Sequence, residues 1–174
     1  PGLDEYEKSV FLTIAQESVV LDLYNGNSLG EAFEDTEMSR RFLNELIETS
    51  SINPVIDESL NIKRLEENSQ LFKLPSNILV ITYEEARFDA NKIPVIPVTQ
   101  DEYHKIKNNP FRGATTNRVL RLDFDSKIND KKVTENYVEL ISLKPIETYF
   151  VKYLSKPTPI VLCKLTDLDP KLSI

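Results

Sequence analysis

The chain has 174 residues, 40% of them hydrophobic and 28% charged, with a net charge of −7. That is enough apolar residue for one substantial core and too much for wholesale disorder. The acidic balance argues against gripping a nucleic-acid backbone, which needs clustered Lys and Arg, but suits an acidic wall past which DNA slides without sticking. One cysteine, Cys163, excludes an internal disulfide framework, and four glycines disfavour a phosphate cradle. No run reaches the roughly 18 apolar residues of a membrane span, and the start is not that of a secretory signal. The chain starts at Pro1 rather than Met and stops at Ile174 without a polar tail, so the native protein is expected to be longer at both ends.

The first third reads as a helix pair. Asp4 with Glu7 forms a capping box. Tyr6, Val10, Ile14 and Leu21, with Phe11 and Tyr24, recur at helical spacing. This stripe is broader than one helix partner needs, which makes Tyr6, Val10 and Phe11 candidate partner-interface residues. Asn25-Gly26-Asn27 ends the helix. A second helix is expected from Thr36 to Glu48, with Met38, Phe42, Leu43, Leu46 and Ile47 inward and Thr49-Ser50-Ser51 before Asn53-Pro54 closing it.

After Pro54 the pattern turns to strands: Gln70–Leu74, Ile78–Tyr83, Ile93–Val98, Val119–Phe124, Tyr137–Leu143, Tyr149–Leu154 and Pro159–Leu165. Prolines 94, 97, 157 and 159 belong at edges, strand starts or bulges, because proline donates nothing to a ladder. Thr99 with Glu102 caps one short inserted helix that Asn108-Asn109-Pro110 stops, and residues 126–132 read as a polar hairpin loop. The expected fold is therefore α+β: one domain over 1–174, with a helical portion over 1–52 and a mostly antiparallel β portion over 53–174.

No catalytic constellation emerges. His104, the lone histidine, has no orienting partner or nucleophile nearby in sequence and reads as an exposed helix residue. Cys163 sits in an apolar run and reads as an inert small hydrophobe, since only Lys164 beside it could lower its pKa. One Cys and one His leave a structural zinc site without ligands. Asp123 and Asp125 would share a strand face, and two such carboxylates can bind Mg²⁺ or do acid–base work, but the solvated side of an amphipathic strand is the favoured reading. Glu84-Glu85 and Asp167/Asp169 read the same way. Lys152, Lys156 and Lys164 with Tyr149 and Tyr153 are a weak nucleic-acid pattern diluted by Glu147, Asp167 and Asp169. Neither metal nor cofactor is expected.

The segment Asn109-Pro110-Phe111-Arg112-Gly113 is more specific. Pro110 fixes a turn, Gly113 permits a positive φ, and Phe111 is expected buried as the anchor, so that Phe111→Ala would cost about 3–5 kcal/mol. Arg112 then meets a neighbouring protein or ion-pairs within its own fold. An exposed Phe111 would leave the loop a connector only.

Several strings together resemble one family. They are Leu3-Asp4-Glu5-Tyr6-Glu7-Lys8-Ser9-Val10-Phe11-Leu12-Thr13 followed by Ala15-Gln16-Glu17, Tyr24-Asn25-Gly26, Phe33-Glu34 before Arg40-Arg41, and Val98-Thr99 through Gly113. Leu120-Arg121-Leu122-Asp123, Val138-Glu139-Leu140-Ile141-Ser142 and Ser155-Lys156-Pro157-Thr158-Pro159-Ile160-Val161-Leu162 complete the set. The chain resembles a structural protein of crAss-like Bacteroidetes phages. The resemblance implies a virion component, a ring protein of the portal–tail joint (head–tail connector) lining or surrounding the DNA channel, and carries no enzymatic residues. It implies a homo-oligomeric ring, twelve-fold if it stacks on the portal, touching portal or other tail and ring proteins and passing genomic DNA without sequence-specific binding or membrane contact. Assembly would occur in the bacterial host cytoplasm. The alternatives are a monomeric adaptor domain binding peptides at a sheet edge, and a metal-dependent enzyme using Asp123/Asp125, Arg112 and His104.

Overall fold

A computed structural model describes residues 2–26, 41–56, 64–66, 68–88, 91–124, 127–128, 131–132 and 136–162. The chain forms two compact units, one of Pro1–Ile47 with Lys156–Ile174 and one of Glu48–Ser155.

In the first unit, α1 spans Glu5–Asn25 as one long helix. The Asp4 carboxylate accepts the Glu7 N–H at 2.7 Å and Glu7 accepts the Asp4 N–H at 3.1 Å, completing the capping box. Gly26 closes the helix at φ 75°, a left-handed position that glycine adopts without strain. Of the second expected helix, only residues 41–44 are helical among those described. The chain becomes β1 at Ile47–Ile52 instead of continuing to Glu48. The β-branched run Ile47, Thr49 and Ile52 favours the pleated conformation over the helix assigned to it from spacing. Leu43 is buried, while Phe42 is exposed rather than inward. Met38 lies outside the described residues.

The second unit is a seven-stranded mixed sheet in the order β1-β9-β3-β4-β5-β8-β2. Its further strands are β2 Gln70–Lys73, β3 Ile78–Phe88, β4 Asn91–Val98, β5 Val119–Phe124, β8 Tyr137–Ile141 and β9 Thr148–Ser155. A separate two-residue hairpin, β6 Lys127–Ile128 and β7 Lys131–Lys132, occupies the expected polar loop. All sheet pairs with a recorded register are antiparallel except β4 with β5. A parallel pair needs a crossover, and this one carries α2, Gln100–Ile106, capped by Thr99 as expected. The α+β class is as the sequence indicates. Tyr137–Leu143 is shorter, ending at Ile141, and residues 159–162 form no strand.

β4 holds the sheet's curvature. It pairs β3 through residues 91–94 and β5 through residues 95–98, changing partner between Pro94 and Val95. Pro94 and Pro97 thus lie in an interior strand rather than at an edge, each with a ladder neighbour on one side only, where a missing donor is tolerated. Register shifts in β3 between Ile78 and Val80 and between Ile81 and Tyr83 add further bending. The sheet folds over its own inner face. Phe72 of β2 meets Tyr149 of β9 edge-on at 5.5 Å, although four strands separate β9 from β2 in the order. Ala86, Val95, Val119, Val138, Leu140 and Val151 fill the space between.

The edges nearly meet as well. The Val55 N–H, just past β1, donates to Leu71 O at 2.8 Å. Beside that bond, residues 50–53 and 73–76 line a cleft of about 620 Å³. Gln70 clamps the β8–β9 connection through both amide atoms, bonding the Ile146 N–H at 2.5 Å and its carbonyl at 3.1 Å. A second small core lies on the outer face, where Tyr103 and Ile106 of α2 cover Leu120, Leu122 and Ile141.

Because Phe72 is fully buried at the closure, Phe72→Ala is expected to destabilise the protein by about 3–5 kcal/mol. Urea unfolding checks this, and a loss under about 1 kcal/mol would mean that the sheet does not close through this ring.

Candidate assembly surface

The sheet carries four polar clusters that serve the fold. On the inner face, Arg121 Nη1 lies 3.0 Å from Glu84 Oε1, the Tyr149 hydroxyl donates to Glu84 at 2.5 Å, and Arg121 Nε lies 3.2 Å from Asp123. On the opposite face of β3, Glu85 accepts from Tyr83 at 2.9 Å and Arg87 at 2.7 Å, while the Arg87 guanidinium lies over the Phe150 ring at 4.4 Å. The buried Glu139 accepts the Leu65 and Glu66 N–H groups and the Ser69 hydroxyl, pinning the segment before β2. Glu48 of β1 accepts from Tyr153 at 2.9 Å and from Asn77 at 3.2 Å. Period-2 alternation sends Glu84 and Glu85 to opposite faces, so neither belongs to the solvated strand face expected for them. The only hint in the sequence was two charged positions, Arg121 within a strand run and Glu84 just past the end of another. Their partners are 37 and 65 residues from Glu84 along the chain, which no local pattern reveals.

Among the described residues the candidates for chemistry do not converge. His104 is exposed on α2, against the Tyr103 ring at 6.3 Å. Asp123 is exposed and pairs with Arg121, while Asp125, Cys163, Lys164, Asp167 and Asp169 lie outside the described residues. Tyr149 and Tyr153 are buried on the inner face and Lys152 is exposed, so the basic and aromatic groups do not share a surface. Among the described residues no group of three or more His, Cys, Asp or Glu is placed to hold a metal, and no helix is long and apolar enough to cross a membrane.

The loop after α2 differs from expectation in two respects. Phe111 is 83% exposed rather than buried, so the anchor assigned to it is absent, the expectation that a buried Phe111 makes this loop a contact is overturned, and Phe111→Ala should not cost 3–5 kcal/mol. The loop is held by other groups. Asn109 Oδ1 accepts the Phe111 and Arg112 N–H groups at 2.9 and 3.2 Å, and Asn109 O accepts the Gly113 N–H at 2.7 Å. Arg118 donates to the Phe111 carbonyl, and Arg112 pairs within its own fold with Glu102 at 2.9 Å. Gly113 is not at positive φ. It is needed because a Cβ there would lie 2.9 Å from Asn109 O and 3.1 Å from Lys107 O.

Helix α1 reverses the usual arrangement. Its one buried residue is Val20; Ser9, Thr13 and Gln16, at helical spacing before it, form the half-covered side. The Leu162 N–H donates to Ser9 Oγ at 2.9 Å and the Ile160 N–H to Thr13 Oγ1 at 3.1 Å. One helical turn between the hydroxyls matches two residues of extended chain, and this replaces the strand expected over Pro159–Leu165 in its described part. The apolar residues flanking that side stay out: Tyr6 is 77%, Phe11 59% and Ile14 58% exposed, with Leu3 and Val10 beside them.

Two measurements follow. Phe111→Ala is expected to change stability by no more than about 0.5 kcal/mol, as at an uncoupled surface position; a larger loss would show that the ring packs within its own chain. Burial raises the Glu84 carboxyl above its ordinary value of 4.5 despite Tyr149 and Arg121. The native state then holds that proton more tightly than the unfolded chain, so stability falls as pH rises from 4.5 through the native value. Burial also raises Glu85, but Tyr83, Arg87 and Lys92 outweigh it and hold it low, so its contribution is lost as pH falls through that lowered value. Glu84→Gln should remove the loss above pH 4.5 and leave the acid-side loss; unfolding midpoints against pH check both, and an unchanged profile refutes the assignment.

The comparisons with known proteins converge on one group. The family model for phage tail ring protein 3/4 matches residues 1–174. Ring protein 3 of Bacteroides phage crAss001 is 39% identical over 175 residues, covering 95% of this chain and 71% of that protein. Ring protein 4/5 of the same phage is 28% identical over 170 residues, covering 95% of this chain and 68% of the relative. Spread over nearly the whole chain, these matches extend well beyond the strings quoted above, and the chain belongs to the phage tail ring protein 3/4 family of crAss-like phages.

Proposed function

We propose that this chain is a non-enzymatic structural subunit of the virion, whose copies assemble around the tail axis as a ring at the portal–tail joint, surrounding the path of the DNA. The observation that carries the reading is α1. Its polar Ser9/Thr13 side serves its own chain, while Leu3, Tyr6, Val10, Phe11 and Ile14 are left exposed. Contiguous exposed apolar residues of this size mark interaction sites on proteins that are otherwise well packed. Family membership supplies the kind of assembly, and the net charge of −7 suits a wall that DNA passes without adhering. A ring needs heterologous contacts that close by rotation. Twelve copies would match a portal beneath, with the portal and other tail or ring proteins as neighbours, and assembly would take place in the host cytoplasm.

Electron microscopy of the intact particle tests this. The expected result is an annulus of copies at the joint, each interface burying more than about 1,000 Å² and including α1. An isolated copy, a location away from the joint, or a monomer that persists with its virion partners present would overturn it. The substitution Val10→Asp is expected to leave the unfolding midpoint nearly unchanged and to remove the chain from particles; normal incorporation would show that the stripe is not an interface.

A further inference from the structure

We infer that the contact joining neighbouring copies is head-to-tail between two patches of this same chain: the Phe111 loop of one copy seats its ring on the Tyr6–Val10–Phe11 surface of α1 in the next. The inference rests on the ring reading above and names its occupant, a second copy.

Three observations point to it. First, the loop is built far more rigidly than a connector requires. Asn109 takes three backbone N–H groups, Arg118 holds the Phe111 carbonyl, Arg112 is tied to Glu102, and Gly113 is packed where no Cβ fits. All of that order presents an aromatic ring that stays 83% exposed. A preorganised, exposed aromatic is the side chain that dominates interface energetics, because little freedom remains to be lost on binding.

Second, the charges complement. From Thr99 to Arg118 the sequence carries Lys105, Lys107, Arg112 and Arg118 against Asp101 and Glu102, a basic excess within a chain of net charge −7. From Gly2 to Gly26 it carries Asp4, Glu5, Glu7, Glu17 and Asp22 against Lys8 alone. By helical spacing Glu7 precedes Val10 by three residues and Phe11 by four, and Glu17 follows Ile14 by three, so carboxylates border the apolar stripe. Arg112 remains 63% exposed at its side chain while paired with Glu102, itself 43% exposed, so Lys105 and Arg118 supply the basic excess around the loop. An apolar centre with a basic rim thus faces an apolar centre with an acidic rim.

Third, the two patches are different surfaces of one chain. A contact between unlike patches is heterologous, and heterologous contacts generate rings, whereas self-matching patches stop at a dimer. Like-charged pairing of loop with loop or helix with helix is disfavoured by the same charges.

Cross-linking in virions tests it. Two single variants, Phe111→Cys and Val10→Cys, each also carrying Cys163→Ser, are supplied together and the particles are oxidised. The expected result is a disulfide-linked pair made of one chain of each kind, at least about tenfold above pairs of either variant alone. The chain carrying both cysteines should give multiples up to the full ring. Loop–loop or helix–helix pairs overturn the inference, as does a doubly substituted chain that links within itself and runs as a monomer. If microscopy shows the ring intact but no mixed pair forms, the head-to-tail contact is wrong and the ring reading stands. If no ring is present, the ring reading itself fails and this contact with it. Phe111→Ala, which should fold normally, is expected to lower incorporation at least about tenfold; unchanged incorporation counts against the contact.

Discussion

The partner exchange within β4 is the constraint on which the β unit depends. A flat sheet of seven strands would leave one face without cover. By pairing β3 up to Pro94 and β5 from Val95, β4 becomes a corner, and the inner faces on either side of it close on one another. This corner brings Phe72 to Tyr149, lets Val55 reach Leu71 across the edges, and makes a single core from strands of both halves. Strands that switch sheets at bends are the usual way in which two packed layers share a corner. The two prolines that look out of place in an interior strand sit where the ladder is one-sided.

Closure has an electrostatic consequence. Once the sheet folds, Glu84 and Arg121 point into the same enclosed space and must satisfy each other, with Tyr149 taking the remaining carboxylate oxygen. Breaking such a set by removing one member leaves a poorly solvated charge. The cluster is therefore part of the fold. The same holds for Glu139, whose carboxylate replaces ladder partners for a segment that is not itself a strand. With its polar groups engaged internally, the β unit offers neighbours the features that are left exposed, among them the ring of Phe111.

Helix α1 completes that pattern from the other unit. In an isolated protein a long helix turns its apolar stripe inward. Here hydroxyls at Ser9 and Thr13 take the returning chain through backbone hydrogen bonds, which leaves the apolar stripe outside. Such an arrangement costs solubility in a monomer and is resolved in an assembly, which accords with a family of ring proteins.

Much of the local structure was determined by sequence alone. The Asp4–Glu7 box and Gly26 set α1, Thr99 sets the start of α2, and Val119–Phe124 is bounded as its pattern indicates, because caps, turns and alternation are interactions over a few residues. The family, too, was legible from strings that are individually weak and jointly specific. The β strand at Ile47–Ile52 was not, since its β-branched residues follow an apolar spacing that also fits a helix. Nor was the direction of the α1 stripe, because periodicity shows that a helix has an apolar side and not what will cover it. Burial of Phe111 was inferred from its place in a stiff turn, yet the stiffness comes from Asn109, Gly113 and Arg118. Tertiary structure alone decided the union of Glu84 with Arg121 and Tyr149, the corner in β4 and the exposure of Phe111, for these depend on contacts between residues distant in the chain, whose geometry exists only after the sheet has closed.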